Sequence, residues 1–410
     1  MPPDGGELGR LLAPVGPRRF LTHYWGRRPL YIPGTADKFA ELGFDLPALL
    51  KAVDHRVPEG YLEVRFVDRN NRLTPGPLRP EEYRLTDGIT LQAFRICDRL
   101  ERLASFCAGV KLALSLPGAV TMTGYAVPAG MGFGTHFDCQ PNFILQVEGT
   151  KRWRFSPRPQ VAWPPMNVAH AGRAAELTDR YPSLAVRYPP DERGFIDQLL
   201  SPGDVLFLPA GTWHQTESID LSLSLTMTCI PTTTADVIED TLRTSLSRSE
   251  SWRSNVPPVL ARDLRPARLP QPVKRFFDAR LAELRRQVRS LRSEDLYASW
   301  LRGTTTFESP VGQTVEGSAP NLERRDVLIV ARDLPLRVVT NRDRRTISLY
   351  HLGHRVDLAE AARPLVEALA RRSRFPAVRA CTWLGKGTRW DDVAPVLQEL
   401  VRVGILRIAR

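Results

Sequence analysis

Two stretches decide the fold: Gly134-Thr-His-Phe-Asp138 and, further along, Ser201-Pro-Gly-Asp-Val-Leu-Phe-Leu-Pro-Ala-Gly-Thr-Trp-His214. On an extended strand, residues two apart project to the same face, so His136 and Asp138 converge on one side of their strand. The second stretch alternates turn and strand: Ser201-Pro-Gly-Asp204 turns into the apolar run Val205-Leu-Phe-Leu208, and Pro209-Ala-Gly211 turns again ahead of Trp213 and His214. A barrel that pairs distant strands can return His214 to the His-x-Asp strand. Two imidazoles and one carboxylate on one face of a metal ion leave half of an octahedral shell open. His-x-Asp alone is a common strand pattern; the distant histidine in its turn-strand-turn setting is what makes it a metal site.

Outward from these motifs, residues 119–231 continue as short alternating runs separated by Gly, Pro, Asp and Ser, the pattern of an antiparallel barrel or sandwich. Val120 to Tyr125 is one run. Asn142 to Val147, a turn at Glu148-Gly-Thr150, and Lys151 to Phe155 read as a hairpin. Residues 157–195, rich in Pro and Arg, are too long for a tight turn and predict an insertion over a barrel mouth. Residues 1–118 form an α/β lead-in. In it Phe20, Leu21, Tyr24 and Trp25 share a helical face, Arg28 to Pro33 makes a short strand, Tyr61 to Val67 alternates at period two, and Leu91 to Leu114 is helix-like.

After the barrel, residues 232–308 read as helical. Thr232 to Thr234 cap a helix from Asp236 to about Ser247. A second helix from Pro272 to about Leu291 places Val273, Phe277, Leu281, Leu284, Val288 and Leu291 at three- and four-residue steps opposite a band of arginines. That stripe must bury against the rest of the chain or against a second copy. A Gly/Ser/Pro-rich stretch, 309–320, reads as a linker. Residues 321–410 follow a strand, helix, helix, strand order that suits a winged-helix-like fold.

Composition bounds the class. At 410 residues, with 42% hydrophobic and 25% charged, the chain is a multidomain globular protein, neither disordered nor fibrous. No apolar run approaches the ~18 residues of a membrane span, and the acidic start lacks a secretory signal's cationic flank. Five cysteines, widely spaced and without a CxxC, argue against a disulfide framework. A cytoplasmic protein with reduced thiols is the expectation. The net charge is +12, and six lysines leave 51 arginines among the 57 basic residues. Such a field suits an anionic partner such as RNA or a ribosome, and it suits arginine-rich codon usage equally.

These motifs together resemble the JmjC group of 2-oxoglutarate oxygenases, and most of all its ribosomal-oxygenase branch. Phe20 to Leu30 resembles the branch's N-terminal signature, and Tyr125-Ala-Val-Pro-Ala-Gly130 the strand before the metal. Phe143 to Trp153 resembles the hairpin that follows the metal strand, and Ser201 to His214 the second metal motif. The resemblance implies an α+β chain with a double-stranded β-helix (cupin, jelly-roll) core, a helical dimerisation region and a winged-helix-like end. It implies that His136, Asp138 and His214 hold Fe(II), with 2-oxoglutarate and O2 in the open positions. Lys151, fifteen residues after His136, falls where the family places the basic partner of the distal 2-oxoglutarate carboxylate. A doubly anionic co-substrate chelated at one end needs such a buried cation at the other. Asn142 matches a co-substrate-contacting asparagine of the related asparaginyl hydroxylase of the hypoxia response, and Tyr125 a tyrosine on the neighbouring strand. Trp153 and Trp213 are candidates for the pocket wall. Cys139 departs from the acidic or polar residue that the branch often has there, which bears on substrate preference.

The activity implied is hydroxylation of an amino-acid side chain of a protein or peptide by a homodimer, with an arginine or histidine of a ribosomal protein as the family's kind of target. Two rivals stand beside it. One keeps the chemistry and takes a biosynthetic peptide or amino-acid intermediate as substrate; the other is a non-catalytic barrel gripping nucleic acid or ribosome. Lys151 together with the triad separates the non-catalytic barrel from an enzyme, because a scaffold has no need of all four.

Overall fold

The computed structural model describes residues 6–53, 63–68, 72–74, 88–261, 269–306, 321–331, 336–340, 345–351, 354–385 and 387–409. The expected linker at 309–320, and Tyr61 and Leu62 of the alternating run, lie outside the described residues. The chain divides into two compact units. One ends at Pro231 and the other begins at Thr232.

The first unit runs α1 (Glu7–Leu12), α2 (Pro17–His23), β1 (Leu30–Ile32), α3 (Leu46–Ala52), β2 (Val64–Val67), β3 (Leu73–Thr74), β4 (Thr90–Ala93) and α4 (Glu101–Leu114). It continues through β5 (Val120–Val127), β6 (Gly132–His136), β7 (Asn142–Glu148), β8 (Lys151–Phe155), α5 (Ala171–Arg180), β9 (Ile196–Leu200), β10 (Val205–Leu208), β11 (His214–Ser218) and β12 (Ser222–Cys229). The strands build two antiparallel sheets, an eight-stranded one in the order β1-β10-β7-β12-β5-β4-β2-β3 and a four-stranded one in the order β6-β11-β8-β9. From β5 to β12 the chain passes from one sheet to the other at each step except β8 to β9, which pair within the smaller sheet, the winding of a double-stranded β-helix with the insertion between β8 and β9.

This winding corrects the expected hairpin. β7 pairs with β10 and β12, whereas β8 pairs with β9 and β11, so the Glu148-Gly-Thr150 turn crosses between sheets instead of folding one strand back on the other. Gly149 makes the crossing possible: its φ is +66°, and a Cβ there would lie 1.9 Å from the Leu221 carbonyl oxygen. The helix expected from Leu91 also starts later. Residues 90–93 are buried strand β4, paired with β5 and β2, and Arg95 at φ 55° breaks the chain before α4 begins at Glu101.

The apolar run Val205 to Leu208 is buried on both faces, which is why it does not alternate. Val205 and Phe207 point into the main core, formed with Phe20, Leu91, Val110, Met122 and Phe143. Leu206 and Leu208 point the other way, to Ile144, Trp153 and Phe155. Phe20 packs edge-on against Phe207 at 4.7 Å, and Trp25 stacks on the same ring. The expected shared face loses one member: Phe20, Tyr24 and Trp25 pack into or against this core while Leu21 is 45% exposed, and the helix itself stops at His23, before Tyr24 and Trp25.

The insertion folds as a lobe around α5. It has its own core, in which Phe137 and Trp213 meet Val161, Val168, Ala174 and Leu177.

The second unit holds α6 (Thr234–Leu246), α7 (Glu250–Arg253), α8 (Gln271–Ser290) and α9 (Ser293–Thr304), then β13 (Val327–Val330), β14 (Arg337–Thr340), β15 (Thr346–His351) and β16 (His354–Ala359). It closes with α10 (Arg363–Arg371), β17 (Arg374–Pro376), α11 (Arg379–Leu384), α12 (Trp390–Arg402) and β18 (Leu406–Ile408). Thr233 caps α6 through a reciprocal pair with Asp236. β17, β13 and β18 form one sheet, and Leu328, Leu365, Leu369, Val393 and Leu397 from this sheet, α10 and α12 share a single core. On α8, Val273 is buried but Phe277, Leu281 and Val288 are 40–49% exposed. Among the described residues, no helix is long and apolar enough to cross a membrane.

Candidate metal centre

β6 and β11 are neighbours, and their register sets His136 directly opposite His214. The imidazole centroids lie 4.1 Å apart. Asp138 follows on the same face as His136, and its Oδ2 is 3.8 Å from His214 Nε2. One ligand atom from each of the three lies within 4.8 Å of the others, which is the only such cluster of three or more among the described residues. The odd residues do the opposite job. Phe137 and Trp213 turn away into the core of the insertion lobe, so the backbone beside all three ligands is anchored from behind. Trp213 is therefore no part of the cavity wall expected of it, while Trp153 is.

Each imidazole is held in one tautomer. His136 Nδ1 donates to the Gly134 carbonyl at 2.7 Å and His214 Nδ1 to the Thr212 carbonyl at 2.9 Å. A carbonyl only accepts, so both Nδ1 atoms carry hydrogen and both Nε2 lone pairs remain for a metal. Burial, with His136 beside it, pushes the His214 imidazolium down to about 4, so the ring is neutral in ordinary buffers. Asp138 is oriented by Asn142, whose Nδ2 donates to its Oδ2 at 2.8 Å; Thr228 in turn donates to Asn142 Oδ1 at 2.8 Å. Asn142 thus reaches the aspartate from the opposite sheet.

The cavity between the two sheets has a volume of about 240 Å³. The three ligands, Asn142, Tyr125 and Lys151 all line it. Lys151 is 2% exposed, and no carboxylate pairs with it among the described residues. Its Nζ sits 5.6 Å from the ring centres of Tyr125 and Trp153 and 5.8 Å from that of Phe133. Burial alone pushes this ammonium down to about 8, and burial raises the Tyr125 phenol well above its ordinary value. An unpaired cation so buried is costly. The donor set, the two fixed tautomers and this cation fit a divalent metal chelated by a ligand carrying a second, distal carboxylate.

Reading the residues alone missed Glu192. From the end of the insertion it accepts from Thr135 Oγ1 at 2.7 Å, Gln215 Nε2 at 2.9 Å and Arg154 at 3.1 Å. Thr135 and Gln215 neighbour His136 and His214, so one carboxylate ties β6, β11 and β8 together on the outer face of the smaller sheet. Nothing in the local sequence around Glu192 marks it.

Comparison with known proteins agrees with the geometry. Residues 91–237 match the family model of the JmjC domain. That segment is a JmjC domain, the domain of oxygenases that use Fe(II) and 2-oxoglutarate, and the His136, Asp138 and His214 set lies within it. It is similar to the uncharacterised protein YxbC of Bacillus subtilis, at 27% identity over 60% of this chain and 77% of that protein. It is also similar to the bifunctional lysine-specific demethylase and histidyl-hydroxylase NO66 of Drosophila sechellia, at 32% identity over 55% of this chain. The chain spans about a third of that relative's length, 34%. Its fold is similar to that of the Escherichia coli ribosomal oxygenase YcfD solved with cobalt and 2-oxoglutarate, with a TM-score of 0.55, 18% identity, and coverage of 96% of this chain and 98% of that one.

Proposed function

We propose that the protein hydroxylates an amino-acid side chain of a protein or peptide, with His136, Asp138 and His214 holding the metal and Lys151 binding the distal carboxylate of 2-oxoglutarate. The observation that carries this reading is the buried, carboxylate-free Lys151 in the same cavity as a three-ligand set with an open side. Fe(II) and 2-oxoglutarate, when bound, supply O2-driven insertion of one oxygen atom into a C–H bond, the keto acid leaving as succinate and CO2. The chain's own contribution is placement. The Gly134 and Thr212 carbonyls hold the imidazoles, and Asn142 holds Asp138. Lys151 neutralises the co-substrate's far end, and Tyr125 stands beside it to donate its hydroxyl to the same carboxylate. Leu208, Ile144 and Trp153 supply the apolar part of the wall.

A protein substrate is supported by the names of the relatives, a ribosomal oxygenase and a histidyl-hydroxylase. A homodimer is supported by the exposed apolar stripe of α8, which a second copy of the same helix would cover. The test is mass spectrometry of a cellular proteome, incubated with the enzyme, Fe(II) and 2-oxoglutarate, for peptides that gain one oxygen. Such a gain, absent with His136→Ala, is the result expected. Succinate release that tracks a free amino acid or small intermediate, with no modified protein, would replace the substrate class.

A further inference from the structure

We propose that the insertion lobe carries a binding groove for single-stranded polynucleotide, separate from the metal cavity. The groove, about 180 Å³, is walled by Trp25, Gly26, Pro141 and Trp163 and flanked by Arg27 and Arg158. It shares no lining residue with the metal cavity, and no carboxylate lines it.

Trp163 is the feature that demands a reason. The residue is 64% exposed, and its backbone sits at φ 52°, a left-handed conformation that is strained for a bulky residue. The indole lies against the backbone of Gly26, where an added Cβ would come within 3.0 Å of the ring. Glycine at that position leaves room for the ring edge, which a Cβ would crowd. A large aromatic face held in strain and left open to water is a stacking platform without its guest. Both guanidiniums are exposed, and neither Arg27 nor Arg158 has an ion-pair or side-chain hydrogen-bond partner among the described residues. Each is thus available to a phosphate.

The combination selects among anions. An acidic peptide needs the guanidiniums but has no use for a flat, open indole. A single-stranded polynucleotide uses both: every base has a π-face to stack, and its phosphates take the cations. The platform is also tied to the metal strands. Gln160 N–H donates to the Gly211 carbonyl at 2.9 Å, and Gly211 N–H donates to the Asp138 carbonyl at 2.8 Å. A strand of nucleic acid in the groove is therefore held at a fixed place relative to the cavity, as a protein substrate embedded in a ribonucleoprotein would require.

The test is fluorescence anisotropy with labelled oligouridylate and oligodeoxythymidylate on the full chain. Binding of either should weaken steeply with salt, and the pair of probes tells whether ribose matters. Trp163→Ala should weaken binding by about tenfold or more, and Trp163→Phe should restore most of it. Replacing Arg27 and Arg158 together by Gln should flatten the plot of log affinity against log salt by roughly 1.4, the two phosphates lost. All three variants should keep the parent's melting temperature and its basal 2-oxoglutarate turnover. Absence of binding, equal affinity of parent and variants, or displacement of the oligonucleotide by polyglutamate at equal charge concentration would overturn the groove. Loss of turnover in the parent would instead sink the oxygenase reading and leave the groove standing.

Discussion

Asn142 and Asp138 are joined across the two sheets of the barrel by a 2.8 Å hydrogen bond, so the metal-binding carboxylate is aimed by a residue that belongs to the opposite wall. The aspartate lies two residues past the end of β6, a strand of the four-stranded sheet, and the asparagine begins β7, in the eight-stranded one. A ligand aimed in this way is sensitive to both sheets at once. Asn142→Ala should lower Fe(II) affinity by about 10–100-fold with little change in the melting temperature of the apo protein. Competition against a chelating dye measures the first quantity and calorimetry the second. Unchanged metal affinity would show that Asp138 is aimed by its own strand.

Lys151 makes a prediction with a sign. Its ammonium is pushed down to about 8 by burial, while an unfolded lysine stays near its ordinary 10.5. Between those values the unfolded chain binds more protons than the folded one, so the apo protein gains stability as pH rises through this window. Binding of 2-oxoglutarate needs the charged form, so its affinity should fall as pH climbs past 8. Isothermal titration at several pH values reads this directly. Lys151→Met should cost roughly a hundredfold or more in affinity and remove the pH dependence. A pH-independent affinity in the parent would remove Lys151 from co-substrate binding.

Much of the site was legible before any coordinates, and the reason is local. A two-residue spacing on a strand fixes a shared face, so His136 and Asp138 needed only a strand to be read as a pair. The Pro-Gly-Asp and Pro-Ala-Gly turns around Val205 to Leu208 marked His214 as the start of another strand. The misreadings came where a tertiary choice overrides a local one. A hairpin and a crossover both need a glycine turn after β7, and only the neighbours of Lys151 to Phe155 distinguish them. Trp213 sits beside a ligand in sequence, yet strand alternation sends it to the opposite side, where the insertion supplies a core. Glu192 was invisible because its three partners come from three different strands.

Glu192 should behave as a strut. Glu192→Ala removes three hydrogen bonds, one of them to a guanidinium, and should destabilise the first unit by about 1–3 kcal/mol. With Thr135 and Gln215 released beside the two histidines, kcat should fall more than KM for 2-oxoglutarate rises. Urea unfolding and steady-state succinate release separate the two effects. An unchanged kcat would confine Glu192 to folding.

The α8 stripe predicts assembly. If a second copy covers Phe277, Leu281 and Val288, then Leu281→Glu should convert a dimer to a monomer in sedimentation velocity while leaving the helical circular dichroism signal intact. A parent protein that sediments as a monomer at micromolar concentration would assign the stripe to another partner.

The most direct measurement of the central claim is the visible spectrum of the protein with Fe(II) and 2-oxoglutarate under nitrogen. A weak charge-transfer band should grow to one equivalent of each, and should be absent in His136→Ala and reduced at equal co-substrate in Lys151→Met. A parent protein that stays colourless at saturating iron and keto acid, with its apo fold intact, would contradict the account at its root.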